Sequence, residues 1–543
     1  TPLRLFEYPP PASARLDIRS GDTVTLDVVL EFAEADLDRW APFIDRYGQC
    51  RYAEWPGKVR SDEELVADVA AEDAELARMQ PSPDYDRYGG YLKAGRPSEA
   101  TGFFRVERRG DYWWLISPEG NPCFYTGVTG IPGATWPATP VSEREYLFEW
   151  LPPREGAWAG CWGQNYWGMT DGTEFVCLRS ANLMRKYGPD DWRERDVERV
   201  VRRLKAWAFS GAGKWGGAEG MPTVPVLHRW GVPGLVRHPD VFDPEVREQF
   251  RRVLEGQVVP RKDDPTVLGW TLGNEYDEIV TTDEVKEVLT KPAETPAKRA
   301  LLDYAVDELY EGSLADLATA WEVQAGDREA LYGLEPSPPD EDVEKLRLHY
   351  ADRYYDFIYR TVKAADPNHL YMGFSIVPGW WVNEDDWRIS APYCDVICLD
   401  RYSEDYEYAA LARLKAESDK PVFIGEFSFP QFYDGERGFG RYGAISVKDE
   451  EEAAHSYERW VRDATSDPYC VGMTWFTYRD QPLTGRGPGR GDRLVIGERF
   501  AFGLVTETDR PKWPLVKRMR EVNLQAVHWR LHGGVPPSSE AWR

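Results

Sequence analysis

The chain has 543 residues, of which 42% are hydrophobic and 13% aromatic, and its formal net charge at pH 7 is −26. This composition excludes a disordered chain, and the negative charge disfavours binding to nucleic acid or to an anionic membrane surface. The seven cysteines are scattered without a CxxC pair and the seven histidines form no HExxH pattern, so neither a disulfide framework nor a zinc site is indicated.

The first hundred residues are predicted to form a small N-terminal extension. Alternating polar and apolar residues predict a β-hairpin over 14–32, and helical spacing of the apolar residues predicts a helix over 63–79. The segment 81–101 is rich in proline, tyrosine and glycine, which is typical of a linker. We therefore assign residues 1–100 to a β-rich and helical extension with a linker, consistent in size with the remnant of an accessory domain.

The remaining residues, 101–543, are predicted to form one α/β domain. After a hairpin over 103–116, eight strand-like runs alternate with amphipathic helices. This alternation predicts a parallel (β/α)8 TIM barrel, with a helical insertion at about 277–340 after the fourth strand. The eight runs are 122–128, 206–211, 223–227, 267–272, 370–374, 396–399, 422–424 and 471–475.

Two glutamates stand at the ends of strand-like runs, where a carboxylate does not serve packing. Glu275 follows the run 267–272, and Glu426 follows the run 422–424. In a barrel the carboxyl ends of all strands share one face, so the two carboxylates would meet. A separation of about 5 Å supports glycoside hydrolysis with retention, whereas about 6.5 to 9.5 Å implies inversion. The alternative for each glutamate is a structural ion pair.

These residues also carry a family resemblance. Asn274-Glu275 and Gly425-Glu426-Phe427 resemble the acid/base and nucleophile signatures of clan A, the retaining glycoside hydrolases built on a (β/α)8 barrel. Further stretches resemble family 50 of the glycoside hydrolases, the β-agarases; they are 47–49, 54–58, 101–107, 114–120, 180–187 and 475–486.

The resemblance implies a retaining cleavage of β-galactosidic bonds in agarose-like galactans. It makes Glu275 the acid/base, Glu426 the nucleophile and Asn274 the residue that binds the sugar 2-hydroxyl, with no metal or organic cofactor. Three positions depart from the family pattern: Gly273 replaces an acidic residue, Ser428 a histidine and Lys214 an asparagine. Because these positions lie in or near the sugar subsites, they leave the identity of the sugar open.

Further residues are candidate substrate contacts, and each has a structural alternative. Tyr402 is predicted either to hydrogen-bond the nucleophile or to lie on the rim of the site. Trp475 is predicted either to form the floor of the sugar site or to be a core residue. The other candidates are Lys214, Trp215, Trp380, Trp381, Asp480, Gln481 and Arg486.

A basic loop follows the eighth predicted strand. Its five arginines are Arg479, Arg486, Arg490, Arg493 and Arg499. They would either steer an anionic sugar or form ordinary loop salt bridges.

Three functional hypotheses follow. The first is a retaining glycoside hydrolase acting on agarose-like or related galactan oligosaccharides. The second is a clan A glycosidase acting on another β-linked glycan, including an anionic one, and the third is a carbohydrate-binding barrel without catalysis. The expected partner is an oligo- or polysaccharide, not nucleic acid or a membrane, and homo-oligomer formation stays open.

The compartment also stays open on the sequence alone. No window approaches the roughly 20 apolar residues of a membrane span, and no signal peptide opens the chain. We therefore expect a soluble protein, either cytoplasmic or secreted after removal of a signal.

Overall fold

The computed structural model describes residues 41–95, 97–131, 137–164, 172–378, 384–487 and 497–532. The hairpin predicted over 14–32 and the candidate contacts Trp380 and Trp381 lie outside these residues. The strands are β1 (Arg105–Arg109), β2 (Tyr112–Ile116), β3 (Pro122–Cys123), β4 (Tyr125–Val128), β5 (Thr139–Pro140), β6 (Trp162–Gln164), β7 (Glu174–Val176), β8 (Gly211–Ala212), β9 (Val226–Leu227), β10 (Gly269–Leu272), β11 (Leu370–Tyr371), β12 (Ile397–Asp400), β13 (Val422–Phe427) and β14 (Cys470–Trp475).

The α-helices lie between and around these strands. They are α1 (Asp62–Arg78), α2 (Leu178–Tyr187), α3 (Trp192–Ala206), α4 (Pro244–Val258), α5 (Thr282–Leu289), α6 (Pro296–Tyr304), α7 (Leu314–Ala320), α8 (Arg328–Tyr332), α9 (Asp340–Ala365), α10 (Glu384–Ser390), α11 (Ala409–Ser418), α12 (Glu450–Ser466) and α13 (Trp513–Leu531). None of the described helices is both long and apolar enough to cross a lipid bilayer.

Helix α4 shows how local sequence sets an element boundary. Asp243 is its N-cap, and its carboxylate accepts a hydrogen bond from the backbone N–H of Glu245 at 2.8 Å. Pro244 occupies the first helical position, where its missing N–H is not needed. The Asp-Pro pair therefore fixes where this helix begins.

The prediction of one closed (β/α)8 TIM barrel is wrong. The described strands form four separate sheets: a parallel one in the order β12-β13-β14-β4-β8, a parallel one in the order β11-β10-β9, and two antiparallel ones, β1-β2-β3 and β5-β7-β6. An isolated bridge between Ile376 and Leu399 links the neighbourhoods of the two parallel sheets. The physical reason is strand length, because β8, β9 and β11 are each two residues long and offer little backbone for a continuous ladder.

The two parallel sheets share one large apolar core with the helices. Buried side chains of β10, β13 and β14 pack with those of α4, α9, α12 and α13. The stretch after β10 is helical and comprises α5 to α8, and its apolar residues Val285, Leu301, Leu317 and Leu331 belong to the same core. The carboxyl ends of β10 and β13 are therefore held on a rigid support.

Candidate active site

Glu275 stands on a tight turn just beyond β10. Gly273 and Glu275 both have positive φ, +60° and +49°, and a glycine adopts such a backbone without strain. A Cβ on residue 273 would lie 2.5 Å from Oε1 of the buried Glu278. The carboxylate of Glu278 thus takes the space of any side chain at position 273, which explains the glycine where the family pattern has an acidic residue.

Glu426 lies on β13 and is buried, with 4% of its surface exposed. Trp215 Nε1 donates to its Oε1 at 2.8 Å, and Tyr402 Oη donates to its Oε2 at 2.7 Å. Lys214 Nζ lies 3.1 Å from Oε1. Both carboxylate oxygens are therefore held in place by donors, and Tyr402 makes the contact that its position after β12 predicts.

The two glutamates come together although 151 positions separate them along the chain. One carboxylate oxygen each from Glu275, Asp400 and Glu426 lie within 4.8 Å of one another. Burial, together with the charge of Glu426, raises the pKa of the Glu275 carboxyl to about 7. Near neutral pH Glu275 can therefore hold a proton, while the carboxylate of Glu426 is fixed by hydrogen-bond donors. A general acid needs the first property, and a nucleophilic carboxylate needs the second.

Lys214 connects the residues of this cluster through hydrogen bonds. Its ammonium donates at 2.7 Å to Asn274 Oδ1, to Ser375 Oγ and to Asp400 Oδ2. Burial acts to lower the pKa of Lys214, but the carboxylates of Asp400 and Glu426 outweigh it and raise the pKa above its usual value. The three carboxylates could bind a metal ion, but the Lys214 ammonium already supplies the positive charge between two of them.

The contact with Lys214 also fixes the amide of Asn274. An ammonium group has donors and no acceptor, so the amide oxygen, not the nitrogen, must face it. The amide nitrogen of Asn274 is therefore oriented away from Lys214 and can donate to a different acceptor. Lys214, predicted as a sugar contact, instead uses its three protons on protein atoms.

Asp400 and Ser375 are site residues that the sequence reasoning missed. Asp400 is the last residue of β12 and Ser375 follows β11, and both are fully buried. The available signal was the one used for Glu275, since Asp400 also ends an apolar strand-like run.

The loop after β14 holds its charged residues in internal pairs. Arg486 donates to Glu498 Oε2 at 2.6 and 3.0 Å, and Gln481 Nε2 donates to the same oxygen at 2.7 Å. Asp480 is buried and accepts from Lys512 Nζ at 2.7 Å, and burial raises the pKa of Asp480 to about 6.

The other arginines of this basic loop divide into two groups. Arg479 is buried, with its Nη2 3.3 Å from Asp196, and Arg499 donates to the carbonyl of Gly438. Arg490 and Arg493 lie outside the described residues. The described arginines of the loop are therefore engaged in salt bridges and backbone contacts. They do not form a basic surface that would steer an anionic sugar.

The prediction of Trp475 as the floor of a sugar site is wrong. Its side chain is fully buried and its indole nitrogen donates to the carbonyl of Phe502 at 2.8 Å. The ring packs edge-on to Phe427 and Tyr457, with centroids 5.6 and 5.9 Å away. Trp475 is a core residue because its side chain leaves β14 on the side of the helices.

The chain is 28% identical over 544 residues to β-agarase B of Vibrio sp. (strain JT0107), covering 90% of this chain and 55% of the relative. The chain resembles agarases. It superposes on the solved structure of an exo-β-agarase with a TM-score of 0.80 at 25% identity, covering 92% of this chain and 75% of the other.

A second solved structure, of the agarase AgWH50C, gives a TM-score of 0.79 at 26% identity and covers 92% of this chain and 75% of the other. No protein-family model matches the chain. The chain spans about half the length of the curated relatives it matches, 55% and 52%.

Proposed function

We propose that the chain is a glycoside hydrolase that cleaves β-galactosidic bonds in agarose-type galactans by a retaining double displacement. The observation that carries the proposal is the pair Glu275 and Glu426, with carboxylate oxygens within 4.8 Å of one another. So short a separation supports retention, because an inverting enzyme needs about 6.5 to 9.5 Å between its carboxyl groups to admit a water. The likeness to agarases supplies the substrate class.

In the first step Glu426 attacks the anomeric carbon and Glu275 gives its proton to the leaving oxygen. The bond from the anomeric carbon to that oxygen breaks as the bond to Glu426 forms, and the leaving sugar departs as an alcohol. Glu275 is suited to this role because burial and the neighbouring charge of Glu426 raise its pKa to about 7. Tyr402 and Trp215 orient the attacking carboxylate.

In the second step a water molecule attacks the anomeric carbon while the ionised Glu275 takes a proton from it. The ester bond to Glu426 breaks, so the product keeps the β configuration. The Asn274 amide nitrogen donates to the 2-hydroxyl of the bound sugar, and Lys214 holds that amide in orientation.

The charges around the pair favour a neutral sugar over an anionic one. Among the described residues nearby, Lys214 is paired with Asp400 and Glu426, and Arg486 is paired with Glu498. Because the charges of Asp400 and Glu498 are cancelled in these pairs, the negative charge that remains is that of Glu275 and Glu426. An anionic sugar would therefore meet repulsion and find these cations already paired.

This preference predicts faster hydrolysis of neutral chains. We expect kcat/KM to be about 10-fold or more higher on neutral agarose oligosaccharides than on sulfated ones of equal length, because the sulfated chains enter a negative field. The measurement is chromatographic product analysis at low and high salt, with little salt dependence on the neutral substrate. Faster turnover of sulfated chains, reduced by salt, would refute the neutral preference, and binding without hydrolysis would refute catalysis.

A further inference from the structure

The loop that follows β9 presents an aromatic ring to solvent. Trp230 is 78% exposed, more than any other exposed large hydrophobic residue in the described ranges. Its ring lies parallel to that of His228, with centroids 4.1 Å apart and an interplanar angle of 3°. An exposed indole that is already stacked on one face offers its other face to a ligand.

Hydrogen bonds to helix α4 hold this loop still. The backbone N–H of His228 donates to Gln257 Oε1 at 2.9 Å, and Gln257 Nε2 donates back to the His228 carbonyl at 2.7 Å. Arg229 Nη1 donates to the carbonyl of Arg237 at 2.6 Å, which closes the loop on itself. A ring on such a support loses little conformational freedom when a ligand binds.

The same loop is braced against the turn that carries Glu275. Arg229 Nε donates to Glu278 Oε1 at 3.3 Å, and Glu278 is the residue that occupies the space beside Gly273. Arg237 Nη2 donates to the carbonyl of Tyr276 at 2.6 Å. Tyr276, the neighbour of Glu275, is itself 47% exposed. Trp230 and Tyr276 are therefore two exposed aromatic rings on segments that hydrogen-bond to each other, and Tyr276 is next to Glu275 in the chain.

We propose that Trp230 and Tyr276 form a stacking subsite for the leaving-group part of a neutral galactan chain. The assignment rests on the proposed function, because the residue that protonates the leaving oxygen must lie beside the sugar that departs. Sugar rings present flat C–H faces that pack on indole and phenol rings, and such contacts need no charge. The subsite therefore strengthens the binding of long chains and does not change the chemistry at the cleaved bond.

The test is the Trp230→Ala variant on agarose oligosaccharides of increasing length and on an aryl β-galactoside. For chains long enough to reach the loop we expect KM to rise and kcat/KM to fall roughly 5- to 50-fold. The aryl substrate has no leaving sugar, so its kcat/KM stays at the wild-type value. We expect Trp230→Phe to keep most of the activity on long chains. Tyr146→Ala removes another exposed aromatic ring and should change kcat/KM on neither substrate.

Two results would overturn the subsite. One is wild-type kcat/KM for Trp230→Ala at every chain length, and the other is an equal loss on the aryl substrate. Failure of the proposed function looks different, because the wild type itself would then hydrolyse neither substrate. In that case calorimetric binding of a long oligosaccharide to the wild type and to Trp230→Ala decides the subsite, and equal affinity refutes it.

Discussion

The Glu426→Gln variant is expected to lose at least about 10³-fold in kcat/KM, on agarose oligosaccharides and on an aryl β-galactoside alike. Glutamine keeps the shape of the side chain but cannot form the ester with the anomeric carbon. The measurement is steady-state turnover of both substrates by purified variants whose circular dichroism matches the wild type.

The Glu275→Gln variant should lose different amounts of activity on the two substrates, and it is therefore measured beside Glu426→Gln. Loss of the acid is expected to cost about 10²- to 10⁴-fold on the oligosaccharide, but less on an aryl substrate whose leaving group needs no proton. The acid must be protonated to act, so wild-type activity falls as pH rises through about 7, the pKa to which burial and Glu426 raise Glu275. The variant should lack this alkaline limb.

A control separates these effects from a general loss of negative charge. Glu287→Gln removes an exposed carboxylate of α5 and should leave both rates unchanged. Near wild-type turnover of both substrates by Glu426→Gln, or of the oligosaccharide by Glu275→Gln, would contradict the assigned roles.

The Lys214→Met variant is expected to lose about 3–5 kcal/mol of unfolding free energy, as when one partner of a buried ion pair is removed. The ammonium is fully buried and pairs with Asp400 at 2.7 Å and with Glu426 at 3.1 Å. Without it, the buried carboxylates repel each other and Asn274 loses the donor that orients its amide. Chemical denaturation gives the stability, and kcat on the oligosaccharide should fall with it.

A second substitution identifies the cause of that loss. Asp400→Asn in the Lys214→Met background removes one of the stranded charges, so we expect it to restore a large part of the lost stability. Lys298→Met is the matched control, because Lys298 is equally buried but donates to the backbone carbonyls of Lys291 and Leu334 at 2.7 Å. If Asp400→Asn rescues Lys298→Met as well as Lys214→Met, or rescues neither, the charge-pairing account is wrong.

The carboxylate pair could be predicted from the sequence because its signal is local. Glu275 and Glu426 each follow a glycine or a Gly-Asn pair at the end of an apolar run, and parallel strands bring such ends together. Tyr402 follows the same logic after β12, and its hydroxyl reaches Glu426 at 2.7 Å. Position along a strand was sufficient for these three residues.

The remaining features depend on facts that a linear pattern does not contain. The side of β14 from which Trp475 leaves depends on the packing of Phe427 and Tyr457 against it. The closed barrel was expected from the alternation of strands and helices, but ladder continuity depends on how many residues of β8, β9 and β11 pair, and each contributes two. The four partners of the Lys214 ammonium come from strand ends that are far apart in the sequence; they are Asn274, Ser375, Asp400 and Glu426.

The most direct test of the central claim is the configuration of the first product. Proton NMR during hydrolysis of an agarose oligosaccharide distinguishes the α and β anomers of the new reducing end before they interconvert. Because carboxylate oxygens of Glu275 and Glu426 lie within 4.8 Å of each other, which favours retention over inversion, we predict that the β anomer forms first. Initial formation of the α anomer, or no hydrolysis, would contradict the two-glutamate retaining mechanism.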